Sequence, residues 1–107
     1  MSRDSLSFGA VSILHAVATG NRFGFDIMEA TGLTSGTVYP TLDRLEQRGL
    51  LKSKWEPEAD AHREGRPARR YFHLTAAGAT ALEAALQKYT PLRPVSIDAA
   101  SLAPHEP

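Results

Sequence analysis

Leu6, Ala10, Ile13, Leu14 and Val17 recur at helical spacing, and the run predicts a first helix that Ser5 caps and that Gly20-Asn21 ends in a left-handed turn. Phe8, Val11 and Ala18 lie off that stripe, so the apolar surface is wide. Such a helix either sits at the centre of the core or also meets a second subunit. A short second helix is predicted over about 23–30, with Phe23, Ile27 and Ala30 on one side and Met28 beside them. Thr31-Gly32-Leu33 then turns the chain. A third helix begins at Thr34, whose hydroxyl is placed to cap it, buries Val38, Leu42 and Leu45, and runs to about Arg48 before Gly49 stops it. Its other side shows Ser35, Thr37, Tyr39, Asp43, Arg44, Gln47 and Arg48.

After Gly49 the period changes from helical to alternating. Leu51, Ser53 and Trp55 point one way and Lys52, Lys54 and Glu56 the other, the pattern of a half-buried strand. A polar loop, PEADAHREGRPA, spans 57–68. Alternation resumes in RRYFHLT, with Phe72 and Leu74 inward and Tyr71 and His73 outward, so the two strands form a hairpin. Thr75 caps a last helix on which Ala79, Leu82, Leu86 and Tyr89 share a face. From Thr90 the chain carries four prolines and no sustained period, and reads as a mobile or extended tail. Helix, helix-turn-helix, hairpin, helix is the order of a winged helix-turn-helix: a mainly α domain with a two-stranded β-wing over 1–89, followed by a tail over 90–107.

Composition narrows the chemistry. The 107 residues are 42% hydrophobic, enough for one modest core, and contain no cysteine, which excludes disulfides and thiolate metal sites. The 12 basic and 12 acidic residues cancel, so any affinity for phosphate depends on where the charges lie. Arg63, Arg66, Arg69 and Arg70 sit within eight residues, opposed locally only by Glu64. Arg44, Arg48, Lys52 and Lys54 extend the same basic side in this reading, while Glu58, Asp60, Glu83, Asp98 and Glu106 lie elsewhere. The run LSFGAVSILHAVA ends like a signal-peptidase site, but Ser12 and His15 interrupt it and Asp4 offsets Arg3. With no apolar run of membrane-spanning length either, a cytoplasmic protein is expected, with no membrane partner.

The segments SGTVYPTLDRLEQRGLLKSKWE and GRPARRYFHLTAAG resemble the PadR family of bacterial transcriptional regulators. Its pattern has a Gly-Thr-x-Tyr-Pro-x-Leu-x-x-Leu helix, a following Gly-Leu, a Gly-Arg-Pro wing and a Tyr-x-Leu-Thr-x-x-Gly exit, and Phe23-Gly24-Phe25 resembles the family's Tyr-Gly-Tyr. The resemblance spans about 6–82 and implies a dimeric repressor that binds an inverted-repeat operator, often of an ATGT/ACAT type. Phe25 and Phe72 stand where the family has tyrosines. The last helix is not continued into a long dimerising helical domain.

Gly36 and Pro40 occupy the early turns of helix three, where helices tolerate such residues poorly. Proline removes an N–H and presses on the carbonyl four residues earlier, that of Gly36, and glycine relieves the crowding. The alternatives are a merely distorted first turn and a backbone bared for a sugar-phosphate strand, with DNA favoured in this context. The DNA-binding candidates are therefore Ser35, Gly36, Thr37, Tyr39, Pro40 and Arg44 on the helix and Arg63, Arg66, Arg69 and Arg70 in the wing. Leu6, Ala10, Ile13, Leu82, Leu86 and Tyr89 are the candidates for a homodimer interface. Asp60, His62, Glu64 and His73 form no closed ligand set, and no serine, histidine and acid share a nucleophile context, so neither metal, cofactor nor enzyme activity is expected. Trp55 reads as a core anchor, or else as an aromatic for a planar effector. Two classes remain: a DNA-binding regulator released by a small-molecule effector, and a winged-helix module that binds protein without DNA, which zero net charge and Asp43 would suit.

Overall fold

The computed structural model describes residues 6–89, in the order α1 (Phe8–Ala18), α2 (Gly24–Thr31), α3 (Ser35–Gln47), β1 (Leu51–Trp55), α4 (Glu58–Arg63), β2 (Arg70–Leu74) and α5 (Ala76–Tyr89). Ser7 caps α1, its Oγ accepting from the Ala10 N–H at 3.1 Å, so the helix starts after Ser7 and not after the expected Ser5, which lies outside the described residues. Ala10, Val11, Ile13, Leu14, Ala16 and Val17 are all buried, because α1 packs on α2, α3, α5 and β2. Its wide apolar surface is that of a central core helix. Thr19 Oγ1 donates to the carbonyls of His15 and Ala16, Asn21 returns to the Ala16 carbonyl, and Gly20 takes the left-handed turn at φ 105°.

The turn between α2 and α3 is tied by its own side chains. Thr31 Oγ1 donates to the Ile27 carbonyl at 2.8 Å and accepts from the Leu33 N–H at 3.2 Å, while Gly32 adopts φ 75° and its N–H donates to Met28. Thr34 precedes α3 in extended conformation, but its hydroxyl does not make the expected cap. Its carbonyl instead accepts from the N–H groups of Thr37 and Val38. The first turn of α3 therefore lacks a side-chain acceptor.

β1 and β2 pair antiparallel in the register Leu51↔Leu74 to Trp55↔Arg70, and Phe72 inserts into the core. The chain ahead of α2 lies along the other edge of β2: the Phe72 N–H donates to the Arg22 carbonyl at 2.9 Å, and Phe23 bridges Tyr71. Thr75 docks α5 as expected, accepting from the Gly78 N–H at 2.9 Å and donating to the Gly49 carbonyl at 2.6 Å. Gly78 sits so close to the Leu50 carbonyl that a Cβ would overlap it.

The 57–68 segment is not the open loop expected from its composition. It contains α4, preceded by Pro57, with Glu58 and Asp60 in the first turn, His62 and Arg63 in the last, and Gly65 at φ 72° after it. Those are ordinary start and stop signals. A helix this short leaves too little room for a period to show, and Ala61 is its one buried residue. Among the described residues no helix is long and apolar enough to cross a membrane.

Candidate nucleic-acid interface

Val38, Thr41, Leu42 and Leu45 turn one side of α3 into the core. Helical geometry then puts Gly36, Pro40, Asp43 and Gln47 outermost, Ser35, Tyr39 and Glu46 on the side toward the wing, and Thr37, Arg44 and Arg48 on the far side. All six helix candidates, Ser35, Gly36, Thr37, Tyr39, Pro40 and Arg44, are exposed. A Cβ built on Gly36 would find only Thr34 Oγ1, at 3.9 Å, outside the helix's own backbone. Packing against other elements therefore does not call for glycine there. Arg44 donates to Thr41 Oγ1 at 3.3 Å and leaves Asp43 to another partner.

That partner is in the wing, and the charge balance there differs from the expectation that only Glu64 opposes the arginines. Arg63 pairs with Asp60. Arg66 makes a two-pronged contact with Glu56, at 2.5 and 3.0 Å. Arg69 reaches the same carboxylate through Nε at 3.6 Å and lays its guanidinium 3.9 Å over the Phe23 ring. Arg70 donates to Glu46 at 2.7 Å, to Asp43 at 3.4 Å and to Ser53 Oγ at 3.1 Å, while Ser53 donates to Glu46 at 2.8 Å. Asp60 is a neighbour of Arg63 within α4, but Glu56, Glu46 and Asp43 lie 10 to 27 positions from the arginines they meet, so only the folded hairpin brings those three within reach.

The pairs shift the titration of both glutamates. The hydrogen bond from Arg66 holds Glu56 down to about 2, and the one from Ser53, with Arg70 behind it, lowers Glu46. Because Ser53 faces Glu46, the alternate residues Lys52 and Lys54 project from the opposite side of the hairpin. They do not extend the basic side of α3.

Tyr39 leans over the start of α2, where a Cβ on Gly24 would collide with its hydroxyl. This is the physical reason for the glycine of Phe23-Gly24-Phe25. Trp55 is not a core anchor: it is 66% exposed and borders a cleft of about 330 Å³ with Phe23, Phe25, Tyr39 and Arg69. Alternation put it inward with Leu51 and Ser53, but the strand outruns the core at its far end. Phe25, 62% exposed, joins the same cleft. An apolar residue at the start of a short helix gave no signal of this.

The dimer candidates fall in another place. Leu6, Ala10, Ile13 and Leu82 are buried in the chain's own core. Leu86 is half-buried and borders an open groove of about 570 Å³ with Ser12, His15 and Thr19. The side chain of Tyr89 lies outside the described residues, as does the tail. Asp60 is engaged by Arg63, and no group of three His, Asp or Glu side chains among the described residues could hold a metal ion.

The family model for the transcriptional regulator PadR-like family matches residues 13–84. The chain belongs to that family. PadR-like proteins are transcription regulators and not enzymes, and the match runs from the middle of α1 into α5, taking in the helix-turn-helix and the whole wing. A search of curated proteins finds no match. Among solved structures, the chain is similar to a PadR family regulator from Clostridium difficile, with 25% identity and a TM-score of 0.68 over 78% of this chain and 88% of that one. It is also similar to smu.1704 from Streptococcus mutans, with 27% identity and a TM-score of 0.64 over 76% and 74%. At the level of fold alone it resembles BpsR of Bordetella bronchiseptica, whose DNA binding is regulated by 6-hydroxynicotinic acid, with 22% identity and a TM-score of 0.65 over 81% of this chain and 61% of that one. The chain thus spans less than two thirds of BpsR.

Proposed function

We propose that this PadR-like chain is a sequence-specific DNA-binding repressor that acts as a dimer on an inverted-repeat operator, with α3 entering the major groove. The observation that carries this reading is the outer ridge of α3. Gly36 and Pro40 leave its backbone bare beside an uncapped first turn, and Thr37 and Arg44 stand exposed next to it. Backbone N–H groups at a helix start suit phosphate, and side chains in the first turn reach base edges. Thr37 is the base-contacting candidate, with Ser35, Gly36, Tyr39 and Pro40 against the backbone. In the wing the roles divide: Arg63 and Arg69, the more exposed pair, meet phosphate, while Arg66 and Arg70 hold the wing in place through their carboxylates.

Two copies would pair through the surface of α1 and α5 that the core leaves open, around Ser12, His15 and Leu86. Regulation by a small molecule has a precedent in BpsR, whose DNA binding is regulated by 6-hydroxynicotinic acid. A protein-binding role without DNA affinity is the second reading, favoured by the internal pairing of the wing arginines.

The test is binding to a duplex from the region upstream of the chain's own gene, against a scrambled duplex, at several salt concentrations. Arg69→Ala should weaken both alike and flatten the salt dependence by about one unit of slope. Thr37→Ala should relax preference at particular positions, by roughly 1 to 3 kcal/mol. Weak, equal and salt-insensitive binding to both duplexes would support the protein-binding reading instead. Light scattering that finds a monomer at micromolar concentration would remove the dimer, and Leu86→Asp should weaken dimer and DNA binding together.

A further inference from the structure

The cleft between α3 and the wing holds chemistry that the proposed DNA contacts leave unused. Three large aromatic rings stand exposed around it, Phe25 at 62%, Tyr39 at 46% and Trp55 at 66%, each from a different element. Burial does not account for them, since none of the three belongs to the buried core, to which the neighbouring Phe72 does belong. Arg69 forms the rim. Its Nε lies 3.6 Å from Glu56, its terminal nitrogens make no hydrogen bond among the described residues, and its plane is fixed by the Phe23 ring at 3.9 Å. A floor of aromatic faces with a cation at the edge complements a strand that alternates apolar sugar and anionic phosphate.

Position agrees with that chemistry. A duplex that takes α3 in its major groove and the wing in the adjoining minor groove must pass one sugar-phosphate strand over the gap between the two elements. The cleft is that gap, and Tyr39 belongs to both α3 and the cleft wall. We propose that Trp55 and Phe25, with Tyr39, form a deoxyribose-packing surface that receives this strand while Arg69 meets its phosphate. The proposal rests on the DNA reading above and adds two residues to it. A small planar ligand fits less well, because such ligands are held in sites that cover most of their surface, and rings left half to two-thirds exposed do not enclose one. Gly24 keeps the arrangement open, since a Cβ there would displace the Tyr39 hydroxyl.

Trp55 is the single tryptophan of the chain, so its emission reports on the cleft alone. The experiment titrates the full chain with a fluorescein-labelled duplex from the region upstream of its own gene, reading anisotropy and tryptophan emission together. The expected result is an emission change with the same midpoint as the anisotropy rise. Trp55→Ala and Phe25→Ala should each bind about tenfold more weakly with unchanged melting, and Trp55→Phe should recover most of the affinity. Saturating anisotropy with flat emission, and Trp55→Ala within about twofold of the parent, would overturn the cleft while leaving the DNA reading intact. No anisotropy change even at low salt would overturn both. If 8-anilinonaphthalene-1-sulfonate alters the emission stoichiometrically and DNA does not, the cleft is a small-anion site and the proposal fails.

Discussion

The core around α1 and the hinge between α3 and the wing are held by opposite means. In the core, Ile13, Leu14, Ile27, Val38 and Leu42 are fully enclosed, with no ionised group among the buried residues. In the hinge, Glu46, Ser53, Asp43 and Arg70 join α3 to β2, while Glu56, Arg66 and Arg69 join the end of β1 to the chain entering β2, all with side chains partly open to water. Apolar burial is non-directional and sets whether the domain folds. Charge-assisted hydrogen bonds are directional, contribute little net stability at such exposure, and set the angle at which the wing stands. Fold stability and interface geometry are therefore separable by mutation, and the separation can be tested at graded sites.

The largest effect is expected at Gly78, on the core side. Its Cβ position overlaps the Leu50 carbonyl, and backbone cannot rotate away as a side chain would. Gly78→Ala should lower stability by about 3 kcal/mol or leave the chain unfolded, measured by urea denaturation. A loss below about 1 kcal/mol would show that α5 can slide on the Gly49-Leu50 turn without consequence.

The hinge should respond with less stability and more function. Glu46→Gln removes the charge that Arg70 and Ser53 share, and at its exposure the expected loss is about 1 kcal/mol or less. DNA affinity should fall by more than that figure implies, since the wing loses its fixed angle. A double-mutant cycle with Arg70→Ala gives the coupling directly, and additive effects would show that the pair does not couple.

Acid gives the same contrast without mutation of the core. Glu56 is held down to about 2 from its ordinary 4.5, so its pairing stabilises the fold fully above the ordinary value and is lost as pH falls through 4.5 toward 2. Glu46, also lowered, acts with the same sign. Melting curves of the parent and Glu56→Gln should differ at neutral pH and converge across that window. A gap that persists at the acid end would place the effect elsewhere.

The smallest effect carries the sharpest distinction. Gly36 has room for a methyl group and lies in a helix, so Gly36→Ala should stabilise by a few tenths to about 1 kcal/mol. If a sugar-phosphate strand approaches this backbone, the same change weakens DNA binding. Stabilisation with unchanged affinity would mean that no strand comes close there.

Much of the fold was legible in the chain because its signals are local. The change of period after Gly49, the Thr31-Gly32-Leu33 turn, the apolar face of α3 and the Thr75 cap depend on residues within a few positions of one another, and all stand where they were read. The PadR-like motif, likewise contiguous, carried the family. α4 escaped notice although its end signals are local, since one turn and a half shows no period. What the tertiary structure alone decided concerns partners and depth. Periodicity tells which side of α1 is apolar but not how many elements surround it, so it left core and subunit contact open, and only the packing of α2, α3, α5 and β2 on α1 encloses Ala10 and Ile13. Alternation tells which face Trp55 shares with Leu51 but not where the core ends along the strand. Arg66, Arg69 and Arg70 look unopposed in one dimension because their carboxylates approach only when the hairpin closes and lies against α3, a matter of distance in space that no local pattern encodes.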